Sequence, residues 1–343
     1  MTTKKISYSL LELAFVTEGS TVARTFKNTL NLAQRAEDMG YKRFWLAEHH
    51  NSISIASSAT AVLIGNIAEG TKTIRVGSGG IMLPNHSPLI VAEQFGTLGT
   101  LYPNRIDLGL GRAPGTDQVT AHAIRSDRMK AVNNFPGEIE EIQQYFTQDN
   151  DFAQVRATMA EGVNVPIYIL GSSTDSAHLA AKMGLPYAFA SHFATSHLFE
   201  ALEIYRKEFQ PSAVLDKPYV IACVNVIAAD TDEEAEANFT SLIRMFIGVL
   251  TGRRDYLQPP TEMTDELLML LHNPAVRDML KYSFAGSKKT VKGSTQKFLK
   301  DTGADELMVV SNIYDHESRV RSYEIFSEII QELNEEVISE VIS

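Results

Sequence analysis

Apolar runs too short for helices recur along the chain, each followed by a stretch whose apolar positions return every three to four residues. The runs fall at 6–16, 43–48, 74–83, 106–111, 166–170, 187–190, 219–228 and 306–311. Helical spacing covers 21–39, 57–69, 88–101, 125–146, 175–183, 194–209, 232–250, 288–302 and 315–334. A strand that is apolar at consecutive positions is covered on both faces, and strands alternating with helices pair in parallel. Eight of them in succession predict an α/β fold, a closed (β/α)8 TIM barrel, as one domain over 1–343. No 20–50-residue repeat and no low-complexity segment competes with that pattern.

Three stretches depart from the plain barrel rhythm. Residues 232–285, between the seventh and eighth strands, hold an extra helix, then Pro259-Pro260, Pro274 and mixed polarity. An insertion on the face where barrels carry their chemistry is expected to act as a lid; decoration of the outside is the alternative. The helix at 57–69 is small or apolar nearly all round, so it is expected to be buried against both the barrel and a second copy, making a homodimer. The acidic tail 332–343 is read as a solvated helical extension.

The 343 residues allow two average domains as readily as one barrel, so composition matters more for what it excludes. Lys+Arg 31 against Asp+Glu 42 gives −11 without a basic block, which argues against nucleic acid and anionic membrane as partners. The single cysteine, Cys223, excludes a disulfide framework and a cysteine-built metal site, and is expected to be a small buried hydrophobe. No run approaches 18 apolar residues. Glu12 inside the first run, with no cleavage site after it, favours a strand over a signal peptide and a cytoplasmic protein.

Motif absences narrow the chemistry. No GxxxxGK[ST], HExxH or GxSxG occurs, and Gly109-Leu110-Gly111-Arg112-Ala113-Pro114-Gly115 is one residue off the dinucleotide fingerprint. His49 and His50 are adjacent on a predicted strand, so they point apart, and no metal site is expected.

Four strand ends look unlike packing. His49 closes the second strand, where a proton donor or acceptor would stand. Gly77-Ser78-Gly79-Gly80 weakens the third strand unless a flat ring approaches the backbone or a bulge bends it. Arg112 ends the fourth with a guanidinium suited to phosphate or carboxylate. Gly171-Ser172-Ser173-Thr174-Asp175-Ser176 after the fifth offers hydroxyls and helix-terminal amides to an anion, or simply caps the helix. The fourth and fifth strands are neighbours in a barrel, so Arg112 and the serines converge on one phosphate site.

In order and spacing, these segments, with Ser87-Pro88 and Ala92-Glu93-Gln94-Phe95, resemble the bacterial luciferase-like flavin-dependent monooxygenases. The likeness runs from Tyr8 to about Phe326. It implies the same barrel, dimeric through its second and third helices, and FMN delivered reduced by a separate flavin reductase. It further implies reaction with O2 through a C4a-(hydro)peroxyflavin. His49 matches the family's histidine beside the flavin, and Gly79-Gly80 its non-prolyl cis peptide under the ring. Arg112, Ser172, Ser173 and Ser176, with Gly171, match the phosphate positions; Ser191 and His192 match the flavin's other side. Gly111 stands where bacterial luciferase has a reactive cysteine, and Ser172 where it has a carboxylate, which argues against a light emitter. A deazaflavin (F420) hydride-transfer enzyme and a non-catalytic flavin-binding protein are the rival readings. Lys288 and Lys289 suggest a solvated face, or an anion or reductase contact; Met82 and Met129 are expected in the core.

Overall fold

The structure, a computed structural model, describes residues 5–148, 150–151, 153–253 and 255–342. Its strands are β1 (Ser7–Glu12), β2 (Arg43–Leu46), β3 (Arg75–Met82), β4 (Ile106–Gly111), β5 (Ile167–Gly171), β6 (Tyr187–Phe189), β7 (Val220–Ala229), β8 (Ser283–Ser287) and β9 (Glu306–Val310). Eight of them close in the order β1-β2-β3-β4-β5-β6-β7-β9, every pair parallel, with β9 returning to β1. These are the eight predicted strands. The ninth, β8, begins inside the predicted insertion, ends two residues past it, and pairs with the far half of β7, Asn225 to Ala229. Its sequence, SFAGS, has buried Phe284 as its one large apolar residue and carries no apolar run.

Helices cover the barrel as α1 (Val22–Asp38), α2 (Thr60–Gly70), α3 (Pro88–Leu101), α4 (Gln118–Ile124), α5 (Arg128–Asn133) and α6 (Phe135–Phe146). They continue as α7 (Thr174–Met183), α8 (Leu198–Glu208), α9 (Asp232–Thr251), α10 (Asp265–Leu271), α11 (Pro274–Leu280), α12 (Lys288–Thr302) and α13 (His316–Ile342). The helix expected at 125–146 is two helices, α5 and α6, because Pro136 in the first turn of α6 cannot continue a helix running into it. Met129 on α5 is 63% exposed rather than in the core, while Cys223 is buried inside the barrel as expected.

Alternation sorts each strand's side chains. On β2, Trp45 points inward with Leu11, Tyr168, Ile221, Cys223 and Met308, while Phe44 and Leu46 pack outward under the helices. The inner end near the strand N-termini is polar. Buried Arg43 binds Glu306 (Nε to Oε1, 2.8 Å) and Asp107 (Nη1 to Oδ2, 2.8 Å). Arg75, Lys42, Ser9 and Tyr219 complete those two carboxylates. The tail is more than a solvated extension: α13 runs through it, Leu333 is buried, and Asn334 exchanges hydrogen bonds with both backbone groups of Ile6. Lys288 and Lys292 face α13, pairing with Glu328, Glu332 and Glu336, so that face of α12 is a helix–helix contact.

Candidate active site

At the C-terminal ends of the strands, α9, α10 and α11 form a roof with its own apolar core of Ile227, Leu242, Ile243, Phe246, Leu267, Val276, Leu280 and Ile313. Hydrogen bonds stitch the roof to the rim. The Leu257 amide donates to the Val16 carbonyl and its carbonyl accepts from the Glu18 amide, both in the β1–α1 loop. The Val16 amide donates to the Ser54 carbonyl of the β2–α2 loop, and the Thr195 hydroxyl donates to the Asp278 carbonyl (2.9 Å). Between roof and barrel lies a cavity of about 1460 Å³, mostly apolar, lined by His49, His50 and His192 among others.

Strand β2 ends at Leu46, so the histidines sit on a loop and strand alternation does not separate them; both reach the cavity. The loop is pinned by the His49 amide to Ser57 (2.9 Å) and the His50 amide to Gly115 (3.2 Å). Gly115, at φ +64°, must lack a side chain because a Cβ there would meet the Glu48 carbonyl at 2.5 Å. His49 and His192 each have Nδ1 sealed from solvent without a partner. An N–H there would be a buried orphan, so the proton belongs on Nε2, which opens to the cavity. Both rings are neutral near pH 7. Burial lowers His49 against the pull of Glu48. For His192, burial and then His49 bring it down to about 3.

Glu48 carries no motif beyond its place between an apolar strand and two histidines, yet it is the hub beneath the loop. It is 1% exposed and accepts from His50 Nε2 (2.9 Å), His86 Nε2 (2.9 Å), Asn85 Nδ2 (3.1 Å) and the Met82 amide (3.0 Å). Burial alone would raise its carboxyl, but the His50, His86 and Met82 bonds hold it at about 2. The carboxylate therefore contributes about 3 kcal/mol at neutral pH. With the folded value depressed, that contribution is complete above the ordinary 4.5 and drains away as pH falls toward 2. Urea unfolding of wild type and Glu48→Gln should accordingly show a stability gap that narrows from about pH 6 to about pH 3. A gap independent of pH would mean that the charge contributes nothing.

The other predicted residues lie around this centre. The Gly79–Gly80 peptide is cis, and β3 shifts register against β4 between Gly79 and Ile81. Packing alone explains both missing side chains: a Cβ would meet Leu11 at 2.7 Å from Gly79 and the Gly109 carbonyl at 2.7 Å from Gly80. Gly171 likewise leaves room for Ser176, whose hydroxyl is engaged with the Ser173 carbonyl (2.8 Å) and Tyr187 (3.0 Å). Ser173 occupies the N-cap of α7 but makes no capping bond, leaving the helix-terminal amides open. Ser172 is exposed beside it. Arg112 reaches the same turn and pairs with Asp175 (2.9 Å). Ser191 is sealed, donating to the Cys223 carbonyl (2.6 Å), so it fixes the backbone of His192 rather than facing the cavity. The serine turn, Arg112 and the glycines do not line the cavity; the first two follow β5 and β4, and the glycines lie within β3. Uncapped amides beside a guanidinium suit a phosphate, and the two Nε2 groups suit a polar ring edge, so the chemistry of these residues fits a phosphate-bearing flavin.

A model of the luciferase-like monooxygenase family matches residues 8–306. A luciferase-like monooxygenase of Escherichia coli (strain K12) is 48% identical over 97% of this chain and 99% of its own. The N-acetyl-S-alkylcysteine monooxygenase of Bacillus subtilis (strain 168) is 38% identical over 73% and 75%. Among solved structures, apo-MsnO8 has a TM-score of 0.86 and 35% identity over 95% and 98% of the chains. The oxygenating constituent of a 3,6-diketocamphane monooxygenase from Pseudomonas putida, in complex with FMN, shares the fold (TM-score 0.69, 19% identity, 95% and 97%).

Proposed function

The chain belongs to the luciferase-like monooxygenase family, and on that footing we propose that it uses reduced FMN and O2 to oxygenate a small organic molecule beneath the α9–α11 roof. The observation that carries this reading is the pair of neutral imidazoles, His49 and His192, opening into a roofed apolar cavity at the strand ends. Reduced FMN, when bound, supplies the two electrons that let one oxygen atom enter the substrate and the other leave as water.

The chain's own residues do the rest. Arg112, Ser172, Ser173 and the amides of α7 hold the phosphate, with Gly171 and Ser176 shaping the turn. Gly79-Gly80 lies beneath the ring, and His192, its backbone fixed by Ser191, bounds its other side. His49 gives or takes a proton at Nε2, and the roof keeps water away from a reactive centre. The flavin arrives reduced from a separate reductase. A second copy covers α2 and α3, whose Val62 (72%), Leu101 (62%) and Ile90 (46%) are exposed.

Mixing the protein and anaerobically reduced FMN with oxygenated buffer tests the reading. The expected result is a transient absorbing species that outlives the reoxidation of free flavin. Reoxidation at the free-flavin rate would defeat it and turn attention to F420 or to flavin storage.

A further inference from the structure

Among the described residues, five charged side chains line the cavity: Glu18, Arg244, Arg253, Asp255 and Glu266. Four of them are exposed at the rim; Arg244 alone is half-buried in the wall. It interrupts the otherwise uncharged stretch from Phe239 to Leu250 on α9. Its guanidinium donates to the Pro259 carbonyl (3.0 Å) and to Gln258 Oε1 (3.2 Å), both neutral acceptors. No carboxylate among the described residues pairs with it. Gln258 is itself held by a bond from its amide nitrogen to the Tyr256 carbonyl (3.1 Å), so its oxygen is aimed at the arginine.

We propose that Arg244 is the specificity-determining residue of this site and that the substrate is an organic acid, an apolar body carrying one carboxylate. The word substrate rests on the monooxygenase reading; the binding argument does not. A half-buried guanidinium without a counter-charge is poorly compensated, and two of its five donors are used, leaving an edge free for a carboxylate. The fork is planar and positioned in advance by Gln258, so little order remains to be imposed when the acid binds. The apolar walls beside it accept the body of the molecule. Glu18, Asp255 and Glu266 at the rim oppose a multiply charged anion, which favours a monoanion.

The test is calorimetric titration of flavin-free protein with N-acetyl-S-butylcysteine and with its primary amide, a pair alike in shape and different in charge. Wild type should prefer the acid by about tenfold or more. Arg244→Met should bring the ratio to about one, and Arg244→Lys should keep part of the preference, with thermal unfolding confirming that both variants are folded. FMN affinity, followed by flavin fluorescence, should stay within about twofold throughout. A wild-type ratio near one, undetectable binding of the acid, or an Arg244→Met protein that keeps the preference would each overturn the proposal. So would a fall in FMN affinity with the preference intact, because the guanidinium would then serve the cofactor. Normal free-flavin reoxidation alongside a charge-dependent preference would defeat the monooxygenase reading and leave Arg244 as an acid-binding residue.

Discussion

His49→Ala should lower turnover by about 10²–10⁴-fold, the range for removing a positioned proton donor or acceptor. FMN affinity should change little, because the proposed phosphate site at Arg112 and Ser173 lies apart from this ring and the bond of His49 that supports the fold is made by its backbone amide, to Ser57. The size of the effect follows from the setting. The ring is neutral, its Nδ1 has no alternative partner, and Nε2 is the group it offers the cavity. A water in the vacated space would lack the wall that aims the proton. Steady-state turnover of the alanine variant together with its flavin titration checks this. Unchanged turnover would remove His49 from the mechanism, and loss of flavin binding would recast it as a cofactor ligand.

The second large effect is on stability. Arg43→Ala should destabilise the protein by about 3–5 kcal/mol, the usual consequence of stripping one partner from a buried ion pair. Glu306 and Asp107 are both 0% exposed and both bonded to this one guanidinium, which also packs 4.9 Å from the Tyr168 ring centroid. Lys42 and Arg75 remain nearby but are partly exposed and approach other edges of the carboxylates. Arg43→Lys should recover only a fraction, since a single ammonium cannot span two carboxylates and the Tyr168 hydroxyl in the manner of a planar fork. Urea unfolding at neutral pH measures both variants. A loss below about 1 kcal/mol for the alanine variant would mean that the cluster relaxes around the gap.

The barrel was legible because a strand covered on both faces announces itself as an apolar run; β7, buried at all ten positions, is the clearest instance. β8 was not, since a single Phe284 among Ser, Ala and Gly makes no apolar run, and the strand owes its place to β7. Arg112 and the serine turn were legible because strand ends and helix starts are local features. Glu48 and Arg244 were not read as site residues. A carboxylate beside a strand and an arginine in an apolar helix are the signals they carry, and both gain meaning only from partners that the fold brings from elsewhere. Asn334 was hidden for the same reason, its partner Ile6 lying 328 positions away.

That long clasp bears on how the protein is born. During synthesis β1 leaves the ribosome before its two neighbours in the sheet, pairs with β2, and presents a bare outer edge until β9 has emerged. The seam of the barrel is sealed after its other strand pairs, and the ordering of the whole sheet waits on contacts as distant in sequence as Ser7 with Glu306. A nascent or truncated chain that stops short of β9 is an open parallel sheet with two unsatisfied edges, the form most prone to pair with its neighbours. Soluble half-barrels are not to be expected from this sequence, and expression yield should depend on the integrity of β9.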